Sequence, residues 1–362
     1  MAEIKLLKGN EVIAEAAIRC GCDAYFGYPI TPQSEILETL IAREPWKETG
    51  MVVLQAESEV ASINMVYGAA GCGKKAMTSS SSPGVSLMTE GISYLAGAEL
   101  PCVIVNVQRG GPGLGTIQPS QSDYFQAVKG GGHGDYCLLV LAPASVQEMY
   151  DFVSLSFDLA FKYRNPVMIL ADGIIGQMME KVELKEFVPR WTDAEISELH
   201  GSWATTGKPA SRGQNVITSL ELDPNIMEQN NIRFQAKYKT MREEEVRYEE
   251  IMCDDAEHVL VAFGSAARIC QKVVEMARES GNKVGLLRPI TLYPFPEEPI
   301  VKLSQRVKSF MCVELNAGQM IQDVKLSVLE SKKYVPVNFL GRMGGNCPTP
   351  DEIYDELLSK MD

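Results

Sequence analysis

The chain has 362 residues, and at about 150 residues per domain that predicts roughly two domains with sizeable cores. It carries 34 basic against 47 acidic side chains, a net charge of −13, so the electrostatic footprint of a nucleic-acid binder is missing. With 45% hydrophobic and 22% charged residues, no apolar run near the ~18 residues of a membrane span, and an N-terminus too charged for a signal peptide, it reads as globular and cytoplasmic.

In chain order, short apolar runs alternate with amphipathic segments up to residue 172, the βαβ signature of a parallel sheet flanked by helices. Strands are expected at 23–27, 51–56, 75–79, 101–108, 137–142 and 166–171. Helices are expected at 11–20, 32–43, 58–71, 84–98 and 145–163, where apolar positions recur three and four apart. A Gly-rich passage runs from Arg109 to Tyr136, and a loop of that length inside a compact domain is usually functional. Residues 1–190 are assigned to this first domain. The charge-dense stretch 191–255 reads as an interdomain arm with little hydrophobic periodicity until its last helix. A second, smaller α/β domain is expected over 256–362, with strands near 257–263, 283–288, 308–314 and 334–340 and helices near 266–280, 296–306, 317–330 and 350–360.

The nine cysteines are scattered, mostly among apolar neighbours, and read as buried thiols in a reducing compartment. No pair of C-x-x-C motifs stands at zinc spacing and no iron–sulfur run is present, so no metal site is predicted in this chain. GAAGCGKK at 68–75 resembles a phosphate loop, but Lys75 stands where Ser or Thr would hold magnesium, and the motif follows a helix. It is read as a helix C-terminus with glycine stop signals.

Four segments sit where strands end, the edge at which parallel sheets bind ligands. Gly27-Tyr28-Pro29-Ile30-Thr31-Pro32 fits either a helix capped by Thr31 with Pro32 at its first position or a ligand-binding turn. Glu57 and Glu59 fit either dipole partners of the next helix or a buried acid pair. Thr78 to Gly84 offers hydroxyls and backbone N–H groups, as an ordinary cap or as an anion cradle. Arg109 enters the glycine loop from a very apolar strand, where its fork suits a carboxylate or a surface salt bridge. Histidines are too few for serine-hydrolase or histidine-metal chemistry.

Taken together, Tyr28-Pro29-Ile30-Thr31-Pro32-Gln33-Ser34, the AESEVA segment with Glu59, TSSSSPG, and Arg109-Gly-Gly-Pro-Gly followed by QPSQSDYF resemble the α subunit of the 2-oxoacid:ferredoxin oxidoreductases. VGLLRPITLYPFP and VPVNFLGRMGG extend the likeness over nearly the whole chain, which looks most similar to the branched-chain (3-methyl-2-oxobutanoate) type, with the 2-oxoglutarate type close behind. The resemblance implies a thiamine-diphosphate-binding (pyrimidine) domain with a parallel sheet, plus a transketolase C-terminal-like domain. It implies a β subunit that holds the diphosphate and Mg2+, a γ subunit, and a ferredoxin-like subunit that carries the 4Fe-4S clusters. Substrates would be a 2-oxo acid, coenzyme A and ferredoxin, with no nucleic-acid or membrane partner.

By the same resemblance, Glu59 is the catalytic carboxyl that bonds the aminopyrimidine nitrogen and promotes the tautomer that takes the thiazolium C2 proton. Glu57 is not expected to be the catalytic one. Tyr28, Pro29, Ile30 and Ser82 would contact the cofactor, and Thr31, Ser81, Arg109 and Gly110 the substrate. The loop GLGTIQPSQ has no Lys or Arg for a second carboxylate, which favours branched-chain acids, although Lys129 follows. The rivals are a 2-oxoglutarate enzyme, a non-oxidative thiamine enzyme half, and a scaffold subunit with a decayed site, against which intact Thr31, Glu59 and Arg109 argue.

Overall fold

The computed structural model describes residues 3–361. The first part of the chain forms β1 (Glu3–Lys8), α1 (Gly9–Arg19), β2 (Ala24–Gly27), α2 (Ser34–Arg43), α3 (Pro45–Glu48), β3 (Val52–Gln55) and α4 (Glu59–Gly71). It continues with β4 (Ala76–Ser80), α5 (Ser82–Gly97), β5 (Cys102–Gln108), α6 (Tyr124–Val128), β6 (Leu139–Leu141), α7 (Val146–Tyr163), β7 (Pro166–Asp172), α8 (Gly173–Gln177) and β8 (Met179–Leu184). Then come α9 (Asp193–His200), α10 (Pro224–Glu244), β9 (Tyr248–Ile251), β10 (His258–Val261), α11 (Gly264–Glu279), β11 (Val284–Pro289) and β12 (Thr291–Tyr293). The chain closes with α12 (Glu297–Leu303), β13 (Ser309–Glu314), α13 (Met320–Glu330), β14 (Val337–Gly341) and α14 (Pro350–Ser359).

A seven-stranded sheet in the order β12-β6-β7-β5-β4-β2-β3 carries the first half, and a five-stranded sheet in the order β14-β13-β10-β11-β9 the second. Both are parallel except for one antiparallel edge strand each, β12 and β9. The central strand β5, CVIVNVQ, is buried at every position, as β-branched residues flanked by strands on both sides require. Every strand and helix expected in the first domain is present within a few residues.

The differences have local causes. The antiparallel pair β1·β8 escaped notice because EIKLLK and MEKVEL are charged strands with little apolar signal. The helix after β2 begins at Ser34 with Gln33 at its cap, so Thr31 does not cap it. The reason is that the Pro32 carbonyl is used by the side chains of Asn10 and Gln177. β12, from the second half of the sequence, pairs with β6, and one apolar cluster runs from Ile63 and Met88 through Tyr124 to Phe263 and Phe310. The two halves therefore share a core.

The stretch between the sheets clasps the far ends of α4 and α5, whose near ends reach the candidate site. Thr205 donates from its amide and hydroxyl to the Gly71 carbonyl at 2.8 and 3.0 Å, and Ser219 lies against Gly97. Its anchor is aromatic: His200 stacks at 4.9 to 5.4 Å on Phe161, Trp191 and Trp203, with Lys75 over Trp191 and Arg164 over Trp203. Burial holds the His200 imidazole below its ordinary pKa of 6.5, with Arg164 adding to the effect.

A depressed histidine pKa means that the neutral form packs here, so this anchor is at full strength above about 6.5 and weakens as pH falls through the folded value. Tryptophan fluorescence should therefore report loosening around Trp191 and Trp203 on acidification from pH 7 to about 5. In His200→Gln the pH dependence should vanish, and an unchanged titration in that variant would contradict the assignment.

Candidate active site

Four neighbouring strands, β3, β2, β4 and β5, end on the same edge of the seven-stranded sheet, and the candidate side chains lie on the segments that leave them. The turn 28–33 after β2 is braced from below. Tyr25 shares a 2.6 Å hydrogen bond with Ser79, whose hydroxyl donates at 2.6 Å to Gln33 Oε1, while Gln33 Nε2 donates to the Tyr28 carbonyl at 3.0 Å. Asn10 and Gln177 both hold the Pro32 carbonyl and the Glu35 carboxylate, and Glu35 is also paired with Lys8 at 2.6 Å. On this braced turn Pro29 and Thr31 are exposed and Tyr28 and Ile30 half-buried.

After β3, Ser58 caps α4 by accepting from the Ala61 amide at 3.2 Å, which places Glu59 at the first helical position. Glu59 is 6% exposed whereas Glu57 is on the surface, so the pair is not a buried acid couple. The Glu59 carboxylate lies against Gly84 at the start of α5. A Cβ on Gly84 would stand 2.7 Å from Glu59 Oε1 and 2.1 Å from Ser80 Oγ, so only glycine leaves room for the carboxylate. The Glu59 carboxylate makes no side-chain hydrogen bond among the described residues, and the buried hydroxyls of Thr78, Ser80 and Ser81 on β4 and its exit have no partner. A carboxylate and three hydroxyls left unanswered at a strand edge fit an incoming group with polar nitrogen atoms.

Arg109 leaves β5 with its guanidinium buried, 7% exposed. Nη1 donates to the Thr31 carbonyl and Nη2 to the Leu114 carbonyl, each at 2.9 Å, and Nε has no partner. No carboxylate among the described residues lies within ion-pair distance of it. It lines a cavity of about 440 Å3 with Ser82 and Ser86 of α5 and Asp123 before α6 on one side and Leu315, Gln319 and Met343 of the second sheet's loops on the other. Lys129, the other cation near the loop, is paired with Asp323.

The remaining predicted residues are placed as follows. Ser82 is buried, and its hydroxyl is engaged by Asp123 Oδ2 at 2.6 Å and by the Arg109 backbone. Ser81 is buried at the cap of α5 with a free hydroxyl. Gly110 is buried against the backbone of Gly344 and Gly345, where a Cβ would approach within 3.0 Å. Thr31, Ser82, Arg109 and Gly110 are thus one connected group, with Glu59 reached through Gly84. Sequence reasoning passed over Asp123 and Asn106 and took in Gly84 only as the end of the Thr78 to Gly84 segment. Only Gly84, in its Pro-Gly pair after a serine run, gave a signal. Cys72 is exposed and Cys137 and Cys347 half-buried, against the expectation of general burial, while the other six are buried. Among the described residues no group of three or more His, Cys, Asp and Glu is placed to hold a metal ion, and no helix is long and apolar enough to cross a membrane.

Comparison with known proteins gives the same frame. The family model described as pyruvate flavodoxin/ferredoxin oxidoreductase, thiamine diP-binding, matches residues 15–250, and that of pyruvate:ferredoxin oxidoreductase core domain II matches 256–353. The chain is 51% identical over 342 residues to the ketoisovalerate oxidoreductase subunit VorB of Methanothermobacter marburgensis, covering 94% of each. It is 37% identical to the 2-oxoglutarate synthase subunit KorA of Methanocaldococcus jannaschii, over 98% of this chain and 100% of that one. Among solved structures it resembles the 2-oxoglutarate:ferredoxin oxidoreductase from Magnetococcus marinus with 2-oxoglutarate, coenzyme A and succinyl-CoA bound. The TM-score is 0.86 at 25% identity, over 99% of this chain and 65% of that one.

Proposed function

The chain belongs to the pyruvate flavodoxin/ferredoxin oxidoreductase family, whose first domain binds thiamine diphosphate, and from that premise we propose that it supplies the pyrimidine-facing and carboxylate-facing half of a 2-oxo acid:ferredoxin oxidoreductase. The reaction joins a 2-oxo acid, coenzyme A and two oxidised ferredoxins and yields acyl-CoA, CO2, a proton and two reduced ferredoxins. The observation that carries this reading is Arg109, a buried guanidinium with no acidic partner among the described residues, on a cavity that also opens to solvent-side loops. Such a cation calls for an anion from outside, and a carboxylate matches its fork.

Thiamine diphosphate, when bound, supplies the nucleophilic carbon and the electron sink for decarboxylation. The chain's own residues do the rest. Glu59, half-enclosed by Gly84 and the β4 hydroxyls, presents the carboxyl group that would hydrogen-bond the aminopyrimidine and relay its proton. In this reading Tyr28, Pro29 and Ile30 would contact the cofactor, and Thr31 and Ser81 the substrate. Arg109 orients the carboxylate that is to leave, with loop 110–118 and the second domain's Leu315 to Gln319 beside the contact. Diphosphate and Mg2+ would be held by a β subunit and 4Fe-4S clusters, which would supply the electron acceptor, by a ferredoxin-like subunit, with a γ subunit completing the assembly in the cytoplasm.

The substrate is a branched-chain 2-oxo acid, best 3-methyl-2-oxobutanoate. Among the described residues Arg109 is the one Lys or Arg lining the cavity, so one carboxylate is provided for, and Asp123 on the same wall opposes a second. In steady-state assays of the purified complex, kcat/KM for 3-methyl-2-oxobutanoate should exceed that for 2-oxoglutarate by about tenfold or more. The reverse order would make the chain part of a 2-oxoglutarate enzyme, and turnover without ferredoxin reduction would make it part of a non-oxidative one.

Glu59 and Glu57 separate cleanly. In the assembled complex Glu59→Gln should slow deuterium exchange at the C2 of bound cofactor by about 10²–10⁴-fold with the fold intact, whereas Glu57→Gln should stay near the parent rate. Equal losses in both would show the wrong carboxylate has been assigned.

A further inference from the structure

Resting on the reading of Arg109 as the carboxylate receptor, we propose that Asp123 is the positioning residue for Arg109, acting through Ser82 and without contact of its own to the substrate. Asp123 Oδ2 accepts from the Ser82 hydroxyl at 2.6 Å and from Asn106 Nδ2 at 2.9 Å, and Asn106 Oδ1 accepts from the Ser82 amide at 3.1 Å. These three side chains close a ring. The Ser82 hydroxyl has one proton, and the shorter bond to a carboxylate oxygen takes it, which leaves the hydroxyl oxygen to accept from the Arg109 amide at 3.0 Å. Ser82 also holds φ at +20°, where an L residue needs restraint from its neighbours. Asp123 thereby fixes the residue that fixes the exit of β5.

Asp123 is itself held from the other side. Its amide donates to Gln108 Oε1 at 3.1 Å, and its neighbours are stitched to the second domain. Asn316 Nδ2 donates to the Gln121 carbonyl at 2.8 Å, Gln319 Nε2 to the Ser122 carbonyl at 2.7 Å, and the Phe125 amide to Gln319 Oε1 at 2.8 Å. Seating of the second domain is thus passed through Asp123 and Ser82 to the base of the Arg109 side chain. Both side-chain bonds to Asp123 converge on one oxygen. What the ring requires is an acceptor at that point, and an amide oxygen can serve.

The test uses the complete enzyme complex. Asp123→Ala and Ser82→Ala should each raise KM for the 2-oxo acid by about tenfold, with kcat within about threefold and KM for coenzyme A unchanged. Asp123→Asn should restore KM to within about threefold of the parent, and the double variant Asp123→Ala, Ser82→Ala should be no worse than either single one. If Asp123→Asn is as poor as Asp123→Ala, the charge acts directly and the proposal is overturned. Multiplying effects in the double variant, or parental KM in both alanine variants, overturn it equally. Should Asp123→Ala fail to assemble, Ser82→Ala and Asp123→Asn decide between the same outcomes. Arg109→Ala is measured alongside. A raised KM there with parental KM in Ser82→Ala removes this inference alone, whereas an unchanged KM in Arg109→Ala removes the reading on which it rests.

Discussion

The structure turns on one buried positive charge. Taking a guanidinium out of water costs several kcal/mol unless its charge is answered, and among the described residues Arg109 is answered by two carbonyl dipoles, from Thr31 and Leu114. Those two bonds also tie the turn after β2 and the glycine loop after β5 to a single side chain. The acid of the same cavity, Asp123, is engaged with Ser82 and Asn106 instead of neutralising the cation. Burial raises its pKa, while those two hydrogen bonds work in the opposite direction. On the proposed reading, a site built this way keeps one cation in reserve for an anion from outside.

The second domain is part of that site. Glu314 is buried, and its carboxylate accepts from the amides of Gln319, Met320 and Ile321 and from Asn316, which shapes the loop facing the Arg109 cavity. Gln121 reaches across to the Phe263 carbonyl and the Leu315 amide, and Asp172 accepts from the Ser265 amide and hydroxyl at the start of α11. Arg288 adds a paired grip on Glu148. Together with β12 in the first sheet, these contacts bring the loops around 315 and 343 to the carboxyl edge of the other sheet.

Much of this was legible in the sequence, because apolar periodicity and strand-end glycines are local signals. Six of the seven strands of the first sheet and the segments that leave them could be read directly, and of the two glutamates that the resemblance set apart the structure buries Glu59 and exposes Glu57. What escaped depends on contacts distant in sequence. Nothing local says that Thr291 to Tyr293 would cross to β6, that Asn10 would claim the Pro32 carbonyl from 22 residues away, or that Asp123 would meet Asn106 and Ser82. The charged strands β1 and β8 show the same limit, since each is a strand by virtue of the other.

The central claim is that Arg109 receives the carboxylate common to all 2-oxo acids. Its most direct test is KM for Arg109→Ala in the assembled complex across a series of 2-oxo acids that differ only in side chain. The account predicts a uniform rise, equivalent to about 2–5 kcal/mol for a buried charge pair losing one partner, with the order of preference kept and only partial recovery in Arg109→Lys. An unchanged KM for the preferred acid, or a change of preference among side chains without that rise, would contradict it.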